Sequence, residues 1–276
     1  MFTPTMFSRR MLMNYSRTQP LEKLPPHRAA DEGRRRVNMV GVNMVLAEFV
    51  KFKHGLHNSC GIECDSGSSD KTEKYCKQYE LNFSIKKWSG YGAQKNYGNS
   101  LACHDWILSL DTDEIMTEEL VREIGQLTLD VNVVYRIPFI NSYCGKLIRF
   151  GRWRNERHVR LFNKSSVSWN EEAVHEGLNI AHKKQVTLNH KIIHYSMSSK
   201  AEHMTKAKKY ALMGANRMFK SGRKSTIIKQ YINPVFRFVL DYFIFLGFLD
   251  GPLGLQIAWI TAKETYWKYK HLKNMS

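Results

Sequence analysis

The chain has 276 residues, 43% hydrophobic and 24% charged, with a formal net charge of +17. That composition is of a folded protein and excludes a disordered polyelectrolyte, while the length accommodates one large α/β domain with an appended segment, or two modest domains. The five cysteines (Cys60, Cys64, Cys76, Cys103 and Cys144) have no zinc-type pairing and read as reduced thiols in a cytosolic setting.

Residues 1–36 form a basic leader, expected to be disordered; it holds Pro20, Pro25 and Pro26 and no apolar run of the kind a secretory signal needs. "VNMVGVNMV" and "CGIEC" read as two strands joined by an indifferent helix. "DSGSSDKTEKYCKQY" is a polar turn running into a helix, and after it come a short strand ("NFSIKKW"), a glycine-containing loop and helix ("SGYGAQKNYGNSLACH") and the apolar strand "WILSLD". A helix from about Thr117 to Leu127 follows. This alternation predicts a parallel sheet with helices on its faces. From Asn132 to His194 the pieces are β-rich ("VVYRIPFI", "HVRLFN", "VSWN", "QVTLNHKIIHY"), and from Ser199 the pattern turns helical, with a stop at Gly222.

Charge is concentrated at the end of the chain. Residues 183–276 hold 17 Lys+Arg against 4 Asp+Glu, so +13 of the +17 lies there and calls for an anionic partner. The apolar stretch Val235–Ala262 is broken by Arg237, Asp241 and "LDGPLG", so it is expected to lie in a membrane interface or to pack as a core helix pair, and not to span. A nucleic-acid-binding protein is the rival reading of the charge. It leaves the acids after "WILSL" unexplained.

Those acids are Asp111, Asp113 and Glu114, at the end of a buried strand. Asp111 and Asp113 present two carboxylates to one side, suited to Mg²⁺ or Mn²⁺ and through the cation to a diphosphate. Asp65 ends the second strand, where open α/β sheets bind ligands. "VHEGL" sets His175 beside Glu176, a carboxylate able to take a hydroxyl proton, and His194 closes the strand "HKIIH".

In order, "DSGSSDKT", "WSGYGAQKNYGNSLACHDWILSLDTDE", "GKLIRFGRWRNERHVRLFNK", "VHEGL", "HYSMSS" and "LGFLDGPLGLQIAWITAKETYWKY" resemble glycosyltransferase family 2, in its branch with lipopolysaccharide core β-1,4-glucosyltransferases. The resemblance covers about residues 62 to 270. It implies a GT-A fold, a mixed sheet with helices on both faces, over residues 37–198, followed by a helical, membrane-associating segment over 199–276. It also implies a nucleotide-sugar donor such as UDP-glucose, a divalent cation, a lipid-linked glycan acceptor, inversion at the anomeric carbon, and a place on the inner face of the bacterial cytoplasmic membrane. Nucleic acid is not an expected partner. Carried onto this chain, Asp65 contacts the nucleoside and Lys95 with Asn96 lies in the donor pocket. Asp111 and Asp113 form the DxD pattern, with Asp113 the direct metal ligand, and Glu176 is the general base. His175 and His194 are candidates for metal or diphosphate contact, and Arg160 either neutralises the diphosphate or is structural. The family's opening strand and its "NEE"-type turn are missing from residues 37–62, so the N-terminal sequence has either diverged or been replaced through a frameshift or wrong start.

Overall fold

A computed structural model describes residues 37–42 by their backbone, and residues 61–67, 72–78, 81–111, 113–170 and 177–275. The leader and the segment 43–60 lie outside these. In chain order the elements are β1 (Val37–Val42), β2 (Gly61–Asp65), α1 (Thr72–Gln78), β3 (Asn82–Ile85), α2 (Tyr91–Ser100), β4 (Trp106–Asp111), β5 (Glu114–Met116), α3 (Glu118–Gln126) and β6 (Val133–Tyr143). They continue with β7 (Lys146–Leu147), β8 (Arg157–Asn163), β9 (Lys184–Thr187), β10 (Ile192–Met197), α4 (Lys200–Lys220), α5 (Ile227–Val239) and α6 (Gly251–Met275).

Two compact units emerge, one from residues up to Pro138 together with Arg157–Ile192, the other from Phe139–Glu156 together with Ile193 onward. The division is not a single cut near residue 198, because β6 gives its first half to one unit and its second half to the other.

In the first unit the strand order is β3-β2-β1-β4-β8-β6. The first four strands are mutually parallel, and β8 runs antiparallel to both β4 and β6. Helices between the strands make the parallel part possible, as the alternation predicts. Ile107, Leu108 and Leu110 of β4 are fully buried, which is why that strand is apolar on both faces. Around it Ile62, Ile107, Val134, Phe162, Val167 and Trp169 form a continuous core. Helix α3 starts where a cap residue stands: the Thr117 hydroxyl accepts from the Leu120 amide at 3.3 Å. The "VSWN" piece is not a strand; it contributes one antiparallel bridge, Trp169 to Leu178.

Cys103 is disulfide-bonded, whereas Cys64, Cys76 and Cys144 are free thiols, a correction to the reading of all five as reduced. Spacing along the chain does not report such a bond, because it forms wherever folding brings two Cβ atoms within about 4 Å.

In the second unit, the β6–β7 hairpin turns through Cys144 and Gly145, both at positive φ. Helix α4 ends as the sequence pattern predicts, with Gly222 at φ +71°. The "LGFLDGPLG" break is a packed corner. A Cβ on Gly254 would lie 1.8 Å from the Gly247 carbonyl oxygen, so no side chain fits there. Asp250 accepts from the amides of Arg149 and Phe150, and Asp241 sits between Arg152 (3.2 Å) and Arg237 (2.7 Å).

Helix α5 is inside out. Its buried residue is Gln230, while Ile228, Tyr231, Ile232, Val235 and Phe236 are each more than half exposed. Phe243, Phe248 and Trp259 beyond it are exposed as well, which is not the pattern of a core helix pair. Among the described residues no single helix is long and apolar enough to cross a membrane; Ile227–Ile244 with Gly247–Met275 passes that test only as a pair bent by 70°.

Candidate active site

Strands β2 and β4 flank β1 and run parallel to it, so the chain leaves the sheet in opposite directions at a topological switch point. Ligands of open α/β sheets bind at the carboxyl ends beside such a point. Both strands end there in aspartate.

Asp65 is buried, and its Oδ2 accepts from the Gly67 amide at 2.7 Å, closing a turn in which Gly67 takes φ +105°. Its carbonyl oxygen accepts from the Lys86 amide (2.8 Å) and from Gln94 Nε2 (3.2 Å). Gln94 therefore clamps the ends of β2 and β3. Beside it, burial pushes the Cys64 thiol up to about 11, which keeps the sulfur protonated and unsuited to nucleophilic chemistry.

Asp111 is held at both oxygens. Lys95 Nζ meets Oδ1 at 3.0 Å and Arg160 Nη2 meets Oδ2 at 3.0 Å, yet the Asp111 side chain stays 33% exposed. Arg160 also reaches Glu114 with Nε (3.0 Å) and with Nη2, and Glu114 in turn accepts from the Asp111 amide at 3.2 Å. Burial of Glu114, 2% exposed, pushes its carboxyl above the ordinary range, and the Arg160 guanidinium opposes that shift. The turn between β4 and β5 carries Asp113, which is half-buried.

The three acids thus divide. Glu114 anchors Arg160, Arg160 and Lys95 fix Asp111, and Asp113 stands on the turn they hold. Arg160 organises the turn in this arrangement: its buried guanidinium is engaged by two carboxylates. Two cations meet the Asp111 carboxylate, so its charge is already offset within this turn. The described residues contain no cluster of three or more His, Cys, Asp or Glu able to hold a metal. One carboxylate suits Mg²⁺ or Mn²⁺ where substrate phosphates and water complete the coordination.

Helix α2 explains how Lys95 and Asn96 are set. It buries a polar face, Gln94, Lys95 and Asn99, and has little apolar stripe. Lys95 lies 4.5 Å over the Trp169 ring. Asn96 accepts from the Trp169 amide and donates to the Trp169 carbonyl, each at 2.9 Å, so its amide pins a loop. One residue on, Asn170 and Gly177 close a neck: the Asn170 amide donates to the Gly177 carbonyl (2.8 Å) and the Gly177 amide to Asn170 Oδ1 (2.7 Å). His175 and Glu176 fall between these two residues and outside the described part of the chain. His194 belongs to the second unit, where its Nδ1 lies 2.9 Å from Asn141 Oδ1 and 3.1 Å from Ser196 Oγ.

Gln94 and Trp169 are site-forming residues that no motif in the sequence announces, whereas Glu114, one of the three acids after the apolar strand, turns inward to hold Arg160. The signal for the first was present in "YGAQKNYGNS", a helix without an apolar face that nevertheless packs on the sheet. For Trp169 there was none.

The sheet order, with acids at the carboxyl ends of parallel strands, defines a GT-A type α/β transferase fold. Residues 62–188 match the model described as Glycosyl transferase family 2, so that segment is a glycosyltransferase domain of that family. An uncharacterized glycosyltransferase of Rickettsia felis is 27% identical over 236 residues, 77% of this chain and 79% of the relative. The lipopolysaccharide core biosynthesis glycosyltransferase LpsC of Rhizobium meliloti is 24% identical over 224 residues, 74% and 82% of the two chains. Among solved structures, a mannosyltransferase from Pyrobaculum calidifontis in complex with GDP-Man and Mn²⁺ covers 94% of this chain and 92% of its own, with 12% identity and a TM-score of 0.47.

Proposed function

We propose that the protein is an inverting hexosyltransferase that takes glucose from UDP-glucose and adds it to a hydroxyl of a lipid-linked, lipopolysaccharide-core glycan at the inner face of the cytoplasmic membrane. The observation that carries the catalytic part is the braced turn at the switch point, where Lys95 and Arg160 hold both oxygens of Asp111, two residues before Asp113. The family 2 domain and the LpsC relative support the acceptor class.

In this reading Asp113 holds the divalent cation, with Asp111 fixing the turn. The cation, when bound, offsets the charge that builds on the leaving diphosphate. Glu176 takes the proton from the acceptor hydroxyl as its oxygen bonds to the anomeric carbon and the bond to the diphosphate oxygen breaks. Lys95 is a positioning residue that ties Asp111 to Trp169, and Asn96 holds the loop that leads toward Glu176. The exposed apolar face of α5, together with the cations that precede it, supports attachment to an anionic bilayer surface, where each Lys or Arg contributes about 1 kcal/mol.

Two measurements test the reading. Mass spectrometry of products, after UDP-, GDP- and dTDP-sugars are offered with Mn²⁺ and a lipid-linked core acceptor, is expected to show one added hexose from the UDP donor alone. Calorimetry with UDP and Mn²⁺ is expected to show Asp113→Ala binding at least about 100-fold more weakly, roughly 2.7 kcal/mol, with an unchanged melting temperature. Undiminished binding by that variant would remove Asp113 from the site.

A further inference from the structure

Two adjoining clefts, each about 460 Å³, open on the helices of the second unit. Arg217, Arg223 and Lys268 line one; Arg223, Lys224 and Lys229 line the other. They share Met218, Arg223 and Tyr269, and neither is lined by a carboxylate. Five cations around adjoining clefts, with no carboxylate in either lining, make a positive field that favours entry of an anion.

Lys268 is built into this recess. A Cβ on Gly214 of α4 would stand 3.0 Å from Lys268 Cδ, so the missing side chain at 214 is what lets the lysine stem lie against that helix. Burial lowers the Lys268 ammonium below its ordinary range; Glu264, one turn earlier on α6, opposes this, and Arg237 and Arg217 add to it. A partly desolvated ammonium gains more from a bound anion than a solvated one does.

The neighbouring surface says which anion. Helix α5 sends Lys229 and Asn233 to the cleft, while its Ile228, Ile232, Val235 and Phe236 are exposed. One helix therefore carries a cationic side and a bare aliphatic side, the order of charge and apolar surface that a phospholipid presents from head group to chain.

We infer that the paired clefts form a binding site for the phosphate of an anionic lipid head group, seated by Arg223 and Lys268, with the apolar face of α5 entering the acyl region. This rests on the membrane attachment proposed above and adds to it a discrete site with a preference for phosphate. Diffuse attraction to negative charge has no such preference. Arg makes paired hydrogen bonds to phosphate oxygens, and Lys supplies a point charge beside them.

The test is cosedimentation of the full chain with phosphatidylcholine vesicles carrying either phosphatidic acid or oleate, adjusted to the same zeta potential. The double variant Arg223→Ala/Lys268→Met is compared with Lys270→Ala/Lys273→Ala, which removes equal charge from α6 outside the clefts, and folding of both is checked by circular dichroism. The site variant is expected to lose at least about tenfold more affinity for phosphatidic acid vesicles than the control loses, and no more than the control on oleate vesicles. Gly214→Ala leaves the charge unchanged while its methyl crowds the Lys268 stem, and is expected to weaken phosphatidic acid binding alone. Equal losses by the two double variants on both vesicle types would overturn the site and leave electrostatic attachment standing. Wild-type protein bound to neither vesicle would overturn both, and saturation of that protein by inorganic phosphate would then reassign the clefts to a soluble anion.

Discussion

Two networks in this protein pair arginine with buried aspartate or glutamate, and they do different things. In the first unit Arg160 and Lys95 converge on Asp111, whose side chain remains 33% exposed at the end of β4. In the second unit Arg152 and Arg237 enclose Asp241 to 6% exposure at the π-helical turn after α5. Composition does not separate them. What separates them is where the remaining exposure lies: the first network frames a turn on the ligand-binding edge of a parallel sheet, whereas the second closes on itself and fixes the bend that α5 makes before α6. A buried ion pair is weak evidence of function by itself. Its position at a switch point turns it into evidence.

The comparison breaks first at turnover. If the first network frames a catalytic site, Glu176→Gln should retain UDP–Mn²⁺ binding and lose about 10³-fold in turnover, because an amide cannot take the acceptor proton. Donor affinity falling as far as turnover would make Glu176 a binding residue.

The next test is stability. Arg160→Met leaves Glu114 buried without its counter-charge and is expected to cost about 4 kcal/mol in urea unfolding, and Asp241→Leu, which strands Arg152 and Arg237 at the more exposed end of their pair, about 3 kcal/mol. The two should differ in binding. In folded protein, Arg160→Met weakens UDP–Mn²⁺ binding through the released turn, and Asp241→Leu leaves it unchanged. Loss of donor binding in the Asp241 variant would erase the distinction between frame and brace.

His203 offers the smallest and most graded test, as a buried titratable group whose hydrogen-bond partner is Tyr143 Oη, at 3.2 Å, and not a carboxylate. Burial, with Lys206 adding to it and Glu202 opposing, lowers the imidazole to about 4. Between its ordinary value and that one the unfolded chain holds a proton that the folded chain lacks. Stability is therefore expected to rise with pH from about 4 to 6.5, and to be lost on acidification by up to about 3 kcal/mol. His203→Gln should flatten this part of the stability curve; an unchanged slope would assign the acid sensitivity to the carboxylates of the two networks.

Much of the architecture was legible because it depends on patterns local in sequence. An apolar run followed by acids announced β4 and its loaded end, and Gly222 marked the end of α4 because a left-handed residue is needed there. The alternation of strands and helices sufficed for a parallel sheet. Charge and aromatic content alone singled out the last third of the chain.

Only the tertiary structure decided the rest. That Arg160 braces Glu114, 46 residues earlier in the chain, is a contact only the fold creates. Asn96 holds the Trp169 backbone 73 residues away, and Cys103 is drawn into a disulfide. An aliphatic face on α5 reads the same in sequence whether it packs inward or outward, and here Gln230 is turned in. Periodicity is set by the backbone within one element, whereas the partner of a long polar side chain is chosen by whatever folding brings within about 3 Å of it, and nothing local in the sequence encodes that neighbour.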